Sequence, residues 1–179
     1  MFMIRLLVSL FEFVLAVVMS GVVIFLTYRV FIRANPDFDM EQEIKKGNVA
    51  VGTLVATILF SASMILQKGL FSVVSMFRLH VSSPTGNNLP LWQLGLLVLG
   101  HLAMSMILAL ITISVTLRLF GRLTRQMEEG KELQRGNLAV GILLSAVVLV
   151  ASLYVGEGVS ALSKALVPQP SIGHVQVMK

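Results

Sequence analysis

The sequence contains no cysteine, which excludes a disulfide framework, a thiolate nucleophile and a metal site with cysteine ligands. Charged residues are also scarce, at 13% of 179 residues. An average soluble domain has about 25%, so the chain has too little charge to cover a surface that faces water. Hydrophobic residues make up 56% of the chain and the mean hydropathy is +0.87. This composition indicates a protein whose surface faces lipid.

Four apolar blocks are each long enough to cross a bilayer, which requires about 20 mostly apolar residues. They occupy residues 6–28, 49–66, 91–117 and 138–155. Because lipid offers no hydrogen-bond partner to the backbone, each block is predicted to be an α-helix. The first block is too long for a signal peptide, and no A-x-A-like cleavage site follows it, so we predict a true span.

The chain repeats itself at an offset of 89 residues. The stretch EIKKGNVAVG at 43–52 corresponds to ELQRGNLAVG at 132–141, and six of the ten residues are identical. Four more identities lie at the same offset, namely Thr27, Arg29, Phe31 and Arg33 with Thr116, Arg118, Phe120 and Arg122. Each half is therefore predicted to be a helical hairpin. Since each hairpin crosses twice, the copies are parallel, unlike the inverted repeats of many transporters.

These patterns predict an all-α integral membrane protein, with four transmembrane helices in two hairpins related by pseudo-twofold symmetry along the membrane normal. We divide the chain into a first hairpin (1–80), an extracytoplasmic linker (81–90), a second hairpin (91–166) and a flexible C-terminal tail (167–179). The linker, VSSPTGNNLP, has the proline, glycine and asparagine content of a turn-rich loop.

The basic residues predict the orientation of the chain. The connectors within the hairpins, with the adjoining helix ends, hold nine lysines and arginines, and the opposite side holds five. By the positive-inside rule, both connectors are cytoplasmic and both termini extracytoplasmic. The net charge of +5 then indicates anchoring beside anionic lipid rather than binding to nucleic acid.

The repeated decapeptide is predicted to be the turn by which each hairpin re-enters the membrane, and we call these turns corner 1 and corner 2. Corner 1 comprises Glu43, Gly47, Asn48 and Gly52, and corner 2 comprises Glu132, Gly136, Asn137 and Gly141. In each, the first glycine suits the left-handed end of a short helix and the asparagine can cap the next helix. The second glycine permits close helix approach. The alternative is a phosphate or lipid-headgroup site at the helix N-terminus; we favour the structural interpretation.

Paired hairpins with the motif E-[IL]-x-[KR]-G-N-[VL]-A-V-G resemble the YjfL-type inner-membrane proteins over nearly the whole chain. That family consists of tandem repeats of a bacterial domain with no assigned function. The resemblance implies a bacterial cytoplasmic membrane and four helices. It implies no catalytic residues.

Four ionisable residues are expected near the outer ends of the spans, and we call them the polar layer: Glu12, His101, Lys68 and Glu157. Glu12 corresponds to His101, and Lys68 to Glu157, at the offset of 89. The favoured interpretation is a polar clamp between the hairpins, because hydrogen bonds between membrane helices specify pairing. The alternative is a proton or ion pathway, since a carboxylate beside an imidazole can exchange protons.

The sequence shows no catalytic constellation, no metal-ligand spacing and no cofactor-binding motif. We therefore expect a non-enzymatic membrane scaffold or accessory subunit, without cofactor or metal, whose cytoplasmic corners meet protein partners or anionic lipid. A homo-oligomer is also expected, because four helices enclose little interior. The alternative function is a small oligomeric channel or proton-linked transporter built on Glu12 and His101. A lipid-modifying enzyme ranks third.

Overall fold

The computed structural model describes residues 2–33, 38–82, 90–124 and 127–166, and within them the chain forms helices and no strand. The long helices are α1 (Phe2–Thr27), α3 (Val49–Ser82), α4 (Leu91–Leu123) and α6 (Leu138–Leu166). A π-helical segment, Tyr28–Arg33, continues α1, and the short helices α2 (Met40–Lys45) and α5 (Glu129–Gln134) precede α3 and α6. The predicted all-α fold is confirmed.

In the described part of the chain, four helices are long and apolar enough to span a membrane: Arg5–Ile32, Val49–Arg78, Trp92–Leu123 and Leu138–Ser163. Each is longer than the predicted block at its place and covers it, except that the third span begins one residue after its block. The stretch after the second block continues α3 without interruption to Ser82, and α6 likewise runs on to Leu166. Most of the predicted linker and the whole predicted tail, residues 83–89 and 167–179, lie outside the described residues.

Helix α3 is the centre of the bundle, because it packs against α6, α4 and α1. Helix α4 lies against both α3 and α6, whereas α1 lies mainly against α3. An exact twofold axis would make α1 contact α6 in the way that α4 contacts α3. Within the described residues, however, α1 and α6 make at most marginal contact. The predicted twofold symmetry of the whole bundle therefore stays a prediction.

The core has two parts. The larger lies in the half of the bundle next to the corners, where α3 residues such as Val51, Leu54 and Ile58 pack with Leu144 and Val148 of α6. The smaller lies further along the helices, where Ile65 of α3 closes a cluster with Ala109 of α4 and Val159 of α6. Burial concentrates on one face of each helix, and the opposite faces carry exposed large apolar side chains, as expected of helices in lipid.

Helices α3 and α6 approach each other closely beside the corners. A Cβ atom placed on Gly141 would lie 2.7 Å from the carbonyl oxygen of Ala50 and 2.9 Å from its Cα. A Cβ on Gly52 would meet no atom within 4 Å. The close approach predicted at both glycines is therefore present at Gly141 and absent at Gly52, because α6 crosses α3 on the side of Ala50.

Helix α1 packs less completely on α3 than α4 does on its neighbours. At the end remote from the corners, Phe11 stacks on Phe77 with ring centroids 4.0 Å apart. Nearer the middle, an open cleft of about 230 Å³ separates the two helices. Apolar side chains line most of it, and Ser20, Ser63 and Gln67 are its polar residues.

Candidate functional site

Corner 1 is a Schellman turn followed directly by an asparagine cap. Gly47 ends α2 with φ at +81°, in the left-handed region where glycine carries no steric penalty. Its amide donates to Ile44 O, and the Asn48 amide donates to Glu43 O. Asn48 Oδ1 then accepts a 3.2 Å hydrogen bond from the amide of Val51, in the first turn of α3. The chain thus reverses direction with its helix-end groups satisfied.

Corner 2 has the same construction. Gly136 ends α5 with φ at +79°, and its amide donates to Leu133 O. The Asn137 amide donates to Glu132 O, and Asn137 Oδ1 accepts a hydrogen bond from the amide of Ala139. The two corners therefore use the same residues in the same backbone geometry, as the repeated decapeptide predicts.

The asparagine of corner 1 also bonds to corner 2. Asn48 Nδ2 donates to Leu133 O at 2.7 Å, and it also donates to Glu43 Oε2 at 3.1 Å. Asn137 Nδ2 donates to the carboxylate of Glu132, within its own corner. One side chain therefore caps α3 and joins the two hairpins, so that the corners form a single surface.

Charged side chains cover that surface in local pairs. Lys46 bonds to Glu43 at 2.8 Å and Arg135 bonds to Glu132 at 2.7 Å. Both cations are largely exposed, with side-chain exposures of 64% and 72%, whereas the glutamates are covered to a much larger extent. The basic groups therefore point away from the bundle, where they can meet anionic lipid or an acidic partner.

The paired carboxylates of the corners have lowered pKa values. The hydrogen bond from Lys46, with a second from Asn48, lowers the pKa of Glu43. The hydrogen bond from Asn137, followed by that from Arg135, lowers the pKa of Glu132. A carboxylate whose pKa is lower in the folded state stabilises that state above the unfolded pKa of about 4.3, and loses this effect as the pH falls through the folded value.

We therefore expect the stability difference between the wild-type protein and Glu43→Gln to shrink on acidification. The ionised carboxylate holds Lys46 and Asn48 at neutral pH, and protonation removes that advantage below a pH of about 4.3. Unfolding in mixed micelles of both proteins, across a pH series, measures the difference. A gap that stays constant to strongly acidic pH would contradict this role of Glu43.

Asn48→Ala is expected to lower the free energy of unfolding by about 2 kcal/mol. It removes an N-cap, which contributes about 1 kcal/mol, and the hydrogen bond to Leu133 O, which contributes about as much. Asn137→Ala removes a cap alone and is expected to cost about 1 kcal/mol. Detergent-induced unfolding of the wild type and the two variants measures both losses of stability. Equal losses in both would show that the bond between corners contributes nothing.

The polar layer is brought together only in part. Lys68 Nζ on α3 lies 2.6 Å from Glu157 Oε1 on α6, which joins the hairpins at residues that correspond in the repeat. His101 is buried, and its Nδ1 lies 3.0 Å from Leu97 O on its own helix. Glu12 on α1 is half-buried, and no hydrogen bond or ion pair joins it to His101 in the described residues. Within the described residues, Lys68 and Glu157 are the members of the layer that form a pair between the hairpins.

Several inward-facing polar atoms have no hydrogen-bond partner within the described residues. They include His101 Nε2 and the hydroxyls of Thr27, Ser61, Ser145 and Ser163. By contrast, Ser105 Oγ donates to His101 O at 2.8 Å. Sequence reasoning placed His101 in the layer but gave no signal that its second ring nitrogen would be enclosed, because that depends on how α4 packs against α3 and α6.

Sequence reasoning also missed a difference between the corners. Ile44, on α2, has 40% of its surface exposed, whereas the corresponding Leu133 on α5 is 3% exposed. The residues are similar in the sequence, so no pattern distinguishes them. Corner 1 consequently presents an apolar side chain among its charges, and corner 2 buries the equivalent one.

The described residues contain no group of three or more histidine, aspartate and glutamate side chains placed to hold a metal ion. Comparison with curated proteins and with solved structures found no match. A family model described as Domain of Unknown Function (DUF350) matches residues 5–159. That range includes both corners, the polar layer and all but the outer ends of the two hairpins. The chain therefore belongs to the DUF350 family.

Proposed function

We propose that this multi-pass membrane protein is a non-enzymatic scaffold or accessory subunit that offers its joined corners to a protein partner at the cytoplasmic face of a bacterial inner membrane. The observation that carries the proposal is the hydrogen bond from Asn48 to Leu133 O, which holds the two corners as one surface. A turn that served only to reverse the chain would not need to be joined to its counterpart.

The surface has the composition of a docking site for protein. It carries exposed basic groups, and Ile44 adds a partly exposed apolar side chain. Lipid headgroups attract the basic groups, but one isoleucine on a six-residue helix offers little apolar area for insertion into the membrane interface. A partner with an acidic rim and an apolar contact fits both features.

The orientation proposed here follows from the basic residues. The exposed Arg29, Arg118 and Arg122 lie on the corner side of the spans. The exposed Lys45 and Lys46 of corner 1 and Arg135 of corner 2 lie on the same side. The positive-inside rule then places the corners in the cytoplasm and the termini outside.

Photocrosslinking from position 44 in intact cells tests the scaffold proposal. A photoreactive amino acid replaces Ile44, and a second protein carries it at the lipid-facing Leu99 as the matched control. We expect a discrete protein adduct from position 44, lost when Lys45 and Lys46 are changed to glutamine, and none from position 99. Lipid adducts alone at position 44 would contradict a protein partner.

The second candidate, proton-linked transport, is favoured by one observation: His101 Nε2 is enclosed without a hydrogen-bond partner in the described residues. An ionisable side chain enclosed within a membrane span is typical of ion and proton pathways. Proton and cation flux in liposomes, measured for the wild type, Glu12→Gln and His101→Gln, distinguishes the candidates. Flux lost in either variant while the protein stays folded would replace the scaffold proposal. No flux in any of the three leaves the corners as the functional surface.

A further inference from the structure

The α3 residues of the interface between α3 and α4 have counterparts on α6, at the offset of 89, that are exposed. On α3, Ile65 and Gly69 are buried, and a Cβ on Gly69 would overlap Ser105 of α4. Adding 89 to the two α3 positions gives Tyr154 and Gly158 of α6. Tyr154 is 79% exposed, and a Cβ on Gly158 would meet nothing within 4 Å.

The matching surface on α1 is uncovered as well. Ser105 and Ala109 of α4 are fully buried at this interface. Their counterparts on α1 are Ala16 and Ser20, which are exposed and lie on the rim of the open cleft between α1 and α3. The residues of α6 and α1 that correspond to the closed interface between α3 and α4 are therefore both exposed.

At the offset of 89, residues that line the cleft correspond to residues of a closely packed part of the core. Four of its lining residues are Met19, Ser20, Leu66 and Leu70. Their counterparts at the offset of 89 are Leu108, Ala109, Val155 and Val159, which form the smaller core cluster. That cluster is closed by Ile65 of α3, which is 0% exposed. The residue that corresponds to Ile65 is Tyr154.

We propose that a second copy of this chain places its Tyr154 in the cleft between α1 and α3, and that the first copy does the same in return. The two contacts form a dimer with twofold symmetry, in which α1 of each copy packs on α6 of the other. The orientation is compatible with a membrane, because α1 runs antiparallel to α6 in both copies. Gly158 leaves room for the approaching helix, as Gly69 does for α4.

The chemistry of the cleft suits a phenol better than it suits an alkyl chain. Ser20 and Ser63 donate their hydroxyl hydrogens to Val17 O and Leu59 O, which leaves their oxygens free to accept a bond. Gln67 supplies an amide that can donate or accept. A tyrosine hydroxyl in hydrocarbon lacks partners, and in the cleft it gains them while the ring covers apolar walls.

The chain's lack of cysteine allows a direct test by disulfide crosslinking. Tyr154→Cys and Gln67→Cys are made in separately tagged copies, which are reconstituted together in liposomes and oxidised. We expect a crosslinked species that carries both tags. The matched control replaces Tyr154→Cys by Leu153→Cys, which is also exposed but lies on the adjacent face of α6. The yield with Tyr154→Cys is expected to exceed the control several-fold.

Subunit counting completes the test. Single-molecule photobleaching in liposomes is expected to show dimers for the wild type, a shift towards monomers for Tyr154→Ala, and a smaller shift for Tyr154→Phe, which keeps the ring. Three results would overturn the proposal: a monomeric wild type with lipid retained in native mass spectra, crosslinking no greater than in the control, or dimers unaffected by Tyr154→Ala. Failure here leaves the corner surface and the scaffold proposal unaffected, since neither involves Tyr154.

Discussion

Gly141→Ala is expected to destabilise the bundle by about 1–3 kcal/mol, the usual cost of overpacking a tight contact. The new methyl group would lie 2.7 Å from the carbonyl oxygen of Ala50 and 3.1 Å from its carbonyl carbon. These are backbone atoms and cannot turn aside as the end of a side chain can. The two helices must therefore separate, which weakens the contacts of Leu54 and Leu144 in the larger core.

Gly52→Ala is the matched control, because Gly52 holds the same position in the repeated decapeptide and has open space around it. Alanine is the better helix former, by up to about 1 kcal/mol, so this variant is expected to be neutral or slightly stabilised. Reversible unfolding in mixed detergent micelles measures both. Equal effects in the two variants would show that α6 does not cross α3 at Ala50.

Gly69→Ala is expected to lower the free energy of unfolding by about 1–3 kcal/mol, because it overpacks the interface of α3 and α4. The added methyl would overlap Ser105 Oγ and lie 2.7 Å from Ser105 Cβ. The hydroxyl can rotate away from its bond to His101 O, but the Cβ is fixed to the helix. Helix α4 must therefore move, and the cluster around Ile65 and Ala109 opens.

Rescue by a second substitution makes this prediction specific. Ser105→Gly removes both clashing atoms, so the double variant is expected to lose less stability than the sum of the single changes. Gly100→Ala, at an open position of α4, is the control and is expected to be neutral. Strictly additive losses for Gly69→Ala and Ser105→Gly would contradict the contact.

The corners were predictable from sequence because their determinants are local. Gly47 and Gly136 take positive φ at the two places where a short helix must end beside a capping residue. The same reasoning predicted a close approach at Gly52, which is absent, since that contact depends on which side of α3 faces α6. The polar layer shows the same division, because Lys68 pairs with Glu157 while no hydrogen bond joins Glu12 to His101 in the described residues.

The four spans, the two corners and the helix-ending glycines could be predicted from the sequence, because hydropathy and backbone conformation act over a few neighbouring residues. The differences between equivalent residues arise from the packing of the helices. Ile65 is buried and Tyr154 is exposed, and Leu133 is buried while Ile44 is partly exposed. The physical reason is that α4 packs against both α3 and α6 whereas α1 packs mainly against α3, so that positions alike in the sequence meet different neighbours.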